Sequence, residues 1–342
     1  MENSNHSNSM IHMFTYPVFC VKDGIIIEAN RYAQNQLISV GTSVKDLLED
    51  NLVEYEAFLG CCMSLTLHVS GAAFLAVVNR FQDTDVFHLY SENANENLRA
   101  MALVAKELSE PLTELLNSEV LNSNLNIKRS YYQLQRIANN ISAANAYTHG
   151  RPYGMEVCNI TAVFQEILTE AEELTKKANR KMVYVCPTAP IYCPVDLEIL
   201  EKAVYNLISN AIKGSPEKGT IRIKISEIGE KVCFSIQNTD NGLGEGQDLF
   251  TRYMRPPQIE DGRHGIGLGI PIAQLAASTH NGTLLMDRPK SKTIRFTLTL
   301  STRTRKGDIL HSPMVKIDTS GGLRRSYVDL ADVLPTSAFK NI

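Results

Sequence analysis

The sequence predicts an α+β multidomain chain: a small mixed α/β domain, then an antiparallel helical hairpin, then an α/β sandwich. Three observations carry this. Strand-like runs alternate with tight turns over the first quarter of the chain. Apolar residues then recur three and four apart, the helical period. Beyond them, helix and strand patterns mix around two glycine pentads, Asp240-Asn241-Gly242-Leu243-Gly244 and Gly265-Ile266-Gly267-Leu268-Gly269. The expected division is a disordered tail (1–13), a first domain (14–90), a hairpin (91–149), the sandwich (150–302) and a C-terminal tail (303–342).

In the first domain, Tyr16 to Val21 and Ile25 to Glu28 flank Lys22-Asp23-Gly24, a hairpin-like turn. A short helix begins near Asn30 and carries Tyr32, Ala33 and Leu37. Ser43 is a candidate cap for a second, from Val44 to Glu49. Strands are expected from Met63 to Val69, Ala72 to Val78 and Val86 to Tyr90. This strand-strand-helices-three-strands order resembles a PAS sensor domain, with Asn30 where that family often has an Asn after its second strand. An unrelated small α+β domain is the alternative.

Leu98, Met101, Ala105, Leu108, Leu112 and Leu115 form an a/d seam, and Ile127, Tyr131, Leu134, Ala138 and Ile141 form a second. The polar stretch Asn117 to Asn126 joins them into a hairpin. One hairpin has a narrow core, and two from two chains make a four-helix bundle, so a homodimer is expected. Pro111 removes an N–H from the first helix and should bend it.

The sandwich is read as helices over Ile160 to Ala178 and Val195 to Ile212, a strand over Lys181 to Cys186, and strands Thr220 to Ser226 and Lys231 to Gln237. A helix from Ile270 to Thr279 breaks at Asn281-Gly282, and strands Thr283 to Met286 and Thr293 to Leu300 follow. The tail begins basic at Arg303, Arg305 and Lys306. It ends with Tyr327, Val328, Leu330, Val333 and Leu334 in an amphipathic pattern, either docked or free.

Composition narrows the function. A net charge of -3 gives no electrostatic reason to expect nucleic acid or an anionic membrane as partner. The seven cysteines form no Cys-x-x-Cys pair and fit reduced, buried thiols rather than a metal centre. The first dozen residues lack the apolar core of a signal peptide, and no apolar run is long enough for a membrane helix. The expected location is cytoplasmic.

The glycine turns are the strongest functional signal, because glycine permits close backbone approach and successive N–H groups hold anions. Asn206 and Asn210 are four apart on one helix, and Lys213 follows one turn later. An amide oxygen suits Mg²⁺ when phosphates and water supply the other ligands, and a lysine can reach a phosphate as a point charge. The alternative is that both Asn cap or face solvent. Asp240 is either a carboxylate that accepts from an exocyclic amine such as adenine's or an Asx-turn residue, with Asn238 as rival. Phe250 and Tyr253, between the turns, are lid anchors or plain core. Arg252 and Arg255 are candidates for phosphate contact. Gly265, Gly267 and Gly269 precede a helix whose N-terminus favours negative charge.

Together these residues resemble the sensor histidine kinases and the ATP-binding domain of the gyrase, chaperone, kinase and mismatch-repair superfamily. Asn206 to Lys213 looks like the N box, Asp240 to Gly244 the G1 box, Phe250 to Arg255 the F box and Gly265 to Gly269 the G2 box. The resemblance implies ATP and Mg²⁺ as cofactors. It implies Mg²⁺ on Asn210, phosphates lined by Asn206 and Lys213, adenine read by Asp240, and nucleotide contacts at Gly242, Gly244, Gly265, Gly267, Leu268 and Gly269. It also implies a response regulator or partner kinase. Hydrolytic members of the superfamily have Glu at the position of Asn206; an amide cannot act as the base, which favours phosphotransfer or plain binding.

One motif departs from the family. Where the first bundle helix carries His-Glu-Leu-x-x-Pro-Leu, this chain has Lys106-Glu107-Leu108-Ser109-Glu110-Pro111-Leu112. A lysine ammonium has no lone pair at neutral pH, its free pKa being about 10.4. Glu110 also replaces the Thr or Asn that positions water in members that dephosphorylate a partner. The remaining histidines lack a partner motif. The expected protein is therefore a histidine-kinase relative degenerate for autophosphorylation. The alternatives are an active kinase acting on a separate protein and a non-catalytic dimeric scaffold.

Overall fold

The computed structural model describes residues 10–13, 16–48, 51–58, 62–81, 83–91, 104–105, 108, 112, 115, 124–148, 154–239, 268–289, 292–303, 323–340 and 342. They fall into two compact units, 1–94 and 95–342.

In the first unit, β1 (Val18–Lys22) turns into β2 (Ile25–Ala29) through Asp23 and Gly24, at φ 50° and 76°. Both residues are left-handed, which matches a tight hairpin to the twist of its strands. Asn30 then caps α1 (Arg31–Asn35), accepting from the Ala33 N–H at 2.9 Å. The same buried side chain accepts from the Val18 N–H and donates to the Tyr16 and Ile11 carbonyls. It therefore ties helix, strand and N-terminal segment together. Met10–Met13, within the stretch expected to be disordered, form one 3-10 turn, and Ile11 is buried against Val18 and Cys20. Two short helices follow, α2 (Lys45–Leu48) and α3 (Leu52–Glu56), the latter not read from sequence. Strands β3 (Cys62–Val69), β4 (Ala72–Phe81) and β5 (Thr84–Ser91) complete an antiparallel sheet of order β2-β1-β5-β4-β3. Phe19 stacks on Phe87 at its centre, ring centroids 4.7 Å apart.

The second unit begins, for regular elements, with α4 (Leu125–Thr148). Ala105, Leu108, Leu112 and Leu115 of the preceding seam are helical, as is Val104 beside it. Ala105 and Leu112 are buried, while Val104, Leu108 and Leu115 are exposed. Lys106, Glu107, Glu110 and Pro111 lie outside the described residues. After β6 (Glu156–Asn159) come α5 (Ile160–Lys177), β7 (Lys181–Val185), β8 (Tyr192–Val195) and α6 (Leu197–Gly214). Strands β9 (Thr220–Ile228) and β10 (Lys231–Thr239), helix α7 (Gly269–Thr279), and strands β11 (Leu284–Asp287) and β12 (Thr293–Ser301) follow. The main sheet runs β7-β9-β10-β12-β11, with β7 parallel to β9 and the other pairs antiparallel.

Alternation makes this unit a two-layer sandwich. Ile221, Ile223 and Ile225 on β9, Val232, Phe234 and Ile236 on β10, and Phe296, Leu298 and Leu300 on β12 are buried. Their neighbours Arg222, Lys224 and Arg295 are more exposed. The helices cover the apolar face: Phe164 of α5 stacks on Phe234 at 5.4 Å. The chain turns after α7 at Asn281, left-handed at φ 49°, and the next position must be glycine, since a Cβ on Gly282 would lie 1.8 Å from the Thr299 carbonyl oxygen. The separate pair β6-β8 was not read from sequence.

The C-terminal segment docks on the helical layer. Helix α8 (Arg325–Asp329) and a 3-10 turn, Thr336–Phe339, bury Leu330, Leu334 and Phe339 completely. The Phe339 ring centroid is 5.2 Å from that of Tyr132 on α4. The face of α4 that meets this segment and α7 repeats every fourth residue: Lys128, Tyr132, Arg136 and Asn140, all buried.

Candidate nucleotide site

Helix α6 starts where the Asp196 carboxylate accepts from the Glu198 and Ile199 N–H groups. His280, just past α7, fixes that start from the other side. Its Nε2 accepts from the Asp196 N–H at 2.9 Å, and its Nδ1 donates to the Ala276 carbonyl at 2.6 Å. Burial pushes the His280 pKa down, against the pull of the Ala276 carbonyl and Asp196, so the ring is neutral. This link sets α6 against α7, and the packing of the two helices brings the candidate residues together.

Asn206 and Asn210 face the first residue of α7. A Cβ built on Gly269 would lie 3.3 Å from Asn206 Oδ1 and 3.5 Å from Asn210 Nδ2. Gly269 is helical with no positive φ, so space rather than conformation asks for glycine here. The N-terminus of α7 has no side-chain cap among the described residues and no acidic residue in its first turn. Its first N–H groups, those before Pro271, lie beside the two amides and have no intrahelical partner. Leu268, the capping position, is buried.

The two amides differ. Asn206 is 2% exposed, and its Nδ2 donates to the Lys202 carbonyl at 2.9 Å. Its Oδ1 accepts from Arg136 at 2.9 Å and more weakly from Asn140 at 3.5 Å. Asn210 is half-buried and makes no hydrogen bond among the described residues. Lys213 reaches Asp332 Oδ2 at 3.0 Å, and Arg136 pairs with the same oxygen. Burial raises the pKa of Asp332, but Arg136 and Lys213 outweigh it and hold the carboxyl below the usual range. Packing lowers the pKa of Lys213, with Arg136 adding to the shift and Asp332 opposing it.

The structure thus brings together Asn206, Asn210, Lys213, Leu268 and Gly269. Asp240, Gly242, Gly244, Phe250 to Arg255, Gly265 and Gly267 lie outside the described residues. Asn238, the rival to Asp240, is buried and donates to the Thr239 carbonyl; its Nδ2 sits 3.0 Å from a Cβ built on Gly214. Arg136 and Asp332 were missed. The four-residue repeat on α4 was the available signal for Arg136.

Residues 195–304 match the family model described as histidine kinase-, DNA gyrase B-, and HSP90-like ATPase. The second unit therefore carries a histidine-kinase-like ATPase domain. Among curated relatives, the sensor protein KdpD of Clostridium acetobutylicum is 26% identical over 192 residues, 55% of this chain and 21% of that protein. The sensor histidine kinase WalK of Bacillus subtilis is 29% identical over 142 residues, 40% of this chain and 23% of WalK. The histidine protein kinase SaeS of Staphylococcus epidermidis is 26% identical over 239 residues, 64% of this chain and 68% of SaeS. The chain spans less than a quarter of the length of KdpD and WalK.

The described residues fit Mg-ATP. The Asn210 amide, with no partner among the described residues, the Lys213 ammonium, and a helix start with no side-chain cap among them, beside Gly269, are the donor set for a hard cation and phosphate oxygens. Among the described residues, no helix is long and apolar enough to cross a membrane.

Proposed function

We propose that this protein is a cytoplasmic, dimeric signalling protein of the two-component type that binds Mg-ATP and does not phosphorylate its own bundle helix. The observation that carries the reading is the meeting of Asn206 and Asn210 with Gly269 inside the stretch that matches the ATPase model. In this reading Asn210 holds Mg²⁺ and Lys213 meets the phosphates. Asp240 reads adenine, and Gly242, Gly244, Gly265 and Gly267 complete the cradle. When bound, Mg-ATP supplies the anionic charge that re-sorts the contacts of α6. A nucleotide that binds two arrangements unequally switches them without chemistry.

Two further parts belong to the proposal. The first unit serves as a PAS-like sensor, supported by its strand-strand-helices-three-strands order and by the structural role of Asn30. The dimer forms on the exposed seam residues Leu108 and Leu115 of the first hairpin helix and Ile127 and Leu134 of α4. A separate chain covering them gains about 25 cal/mol per Å² of apolar surface. The partner that reads the state is a response regulator or another kinase.

The test is incubation with γ-labelled ATP, alone and with candidate partners, followed by acid and base treatment. The isolated protein should acquire no acid-labile, base-stable label. Such a label on it would defeat the degenerate-kinase reading. A label on an added partner would favour the alternative of an active kinase with an acceptor elsewhere.

A further inference from the structure

The C-terminal segment places a carboxylate between Lys213, one turn beyond Asn210, and Arg136, which contacts Asn206. Asp332 Oδ2 pairs with Lys213 at 3.0 Å and with Arg136, and Arg136 in turn donates to Asn206 at 2.9 Å. The Arg129 guanidinium also donates to the Asp332 carbonyl, at 3.4 Å. An anion held by a lysine and an arginine is held as a phosphate oxygen would be. We infer that Asp332 is a tethered internal anion that competes with the triphosphate for Lys213 and Arg136.

The inference rests on the nucleotide reading and adds its regulation. A phosphate brought to Lys213 meets the Asp332 carboxylate, a like charge 3.0 Å from the same ammonium. Binding one therefore weakens the other, and the coupling is reciprocal. The carboxylate is kept in place by contacts that do not involve the site. Leu330, Leu334 and Phe339 are fully buried, Arg325 pairs with Glu201 at 2.6 Å, and Lys177 donates to the Tyr327 hydroxyl. Lys128 of α4 donates to the Ile342 carbonyl at the chain's end. These anchors hold the Asp332 carboxylate at a high local concentration, so it competes without the rest of the segment having to dissociate.

The consequence reaches beyond the site. Arg136 lies on α4, the second hairpin helix, and joins Asn206 to Asp332. When a triphosphate takes Lys213 and Arg136, the link from the hairpin to the C-terminal segment is broken at its charged centre. Nucleotide occupancy is thereby transmitted to the element on which the proposed dimer forms.

Two measurements on the full chain test this. The first is the affinity of a Mg-bound, non-hydrolysable ATP analogue for the unaltered protein and for Asp332→Asn, which keeps the shape and removes the charge. About a tenfold gain in affinity is expected for the variant, within the usual range of coupled sites. The second is hydrogen exchange around Asp332 in the unaltered protein, expected to speed up when the analogue is added while the anchored stretch around Phe339 keeps its protection. Equal affinities, with exchange unchanged by the analogue, would overturn the tethered anion and leave the nucleotide site standing. Absence of binding by both proteins would overturn the nucleotide site and the inference together.

Discussion

Replacing Gly269 with alanine separates a functional glycine from a structural one. Its backbone is helical, so alanine should be favoured on propensity by up to about 1 kcal/mol. Against this stands the new Cβ, 3.3 Å from Asn206 Oδ1 and 3.5 Å from Asn206 Cβ. Asn206 cannot retreat freely, because Lys202, Arg136 and Asn140 hold its amide. Relief needs a shift of a few tenths of an ångström, so its cost should fall at the low end of the roughly 1–3 kcal/mol typical of overpacking. The two terms nearly cancel, and the net change in stability should stay within about 1 kcal/mol, a few degrees of melting temperature. Nucleotide affinity should behave differently. The methyl occupies the gap between the α7 backbone and the two amides, where a phosphate oxygen must come close. A loss of about tenfold or more is expected, equal to 1.4 kcal/mol by the usual conversion. Thermal unfolding and calorimetric titration on the same preparations check both halves. Undiminished binding in Gly269→Ala would refute the placement of the phosphates at this helix start.

Three further outcomes follow from the same structure. Phe339→Ala should detach the C-terminal segment, since deleting a buried Phe costs about 3–5 kcal/mol; hydrogen exchange over 323–342 should rise by two orders of magnitude or more while β9 and β10 keep their protection. His280 is neutral in the fold with a lowered pKa, so the unfolded chain binds the extra proton. Its contribution to stability is present above the ordinary His pKa of about 6.5 and is lost as pH falls below it, by at most about 1.4 kcal/mol per pH unit. Denaturant melts of His280→Gln across that window should show a shallower pH dependence than the unaltered protein. Finally, Lys106→His should gain an acid-labile label from γ-labelled ATP if only the acceptor is missing; a variant that binds nucleotide but stays unlabelled would show that more than the acceptor has been lost.

Much of the second unit was legible because its periods are clean. Helix α6 was expected over 195–212 and is found at Leu197–Gly214; β9 and β10 each extend two residues past the expected ends. That Asn206, Asn210 and Gly269 would meet was readable because two sit one turn apart on an apolar helix and the third opens another. What escaped reading is short or long-range. Strands β6 and β8 have four residues each, too few for alternation to register, and β8 contains Pro194. Arg136 and Asp332 are nearly two hundred positions apart in sequence, and no local pattern joins a lysine on α6 to an aspartate in a tail. The tail's apolar spacing did foreshadow burial at Leu330 and Leu334, but not the surface it would cover. The seam read on α4 was only part of the truth. Tyr131, Ala138 and Ile141 turn inward with the Lys128–Asn140 row, while Ile127 and Leu134 stay outside.

Calorimetric titration of a Mg-bound ATP analogue into the purified 342-residue chain, with Asn210→Ala as control, bears on the central claim most directly. The expected result is a saturable heat with a dissociation constant below the millimolar range, lost or strongly weakened when the Asn210 amide is removed. No measurable heat at millimolar analogue, or equal binding by the Asn210→Ala protein, would contradict it.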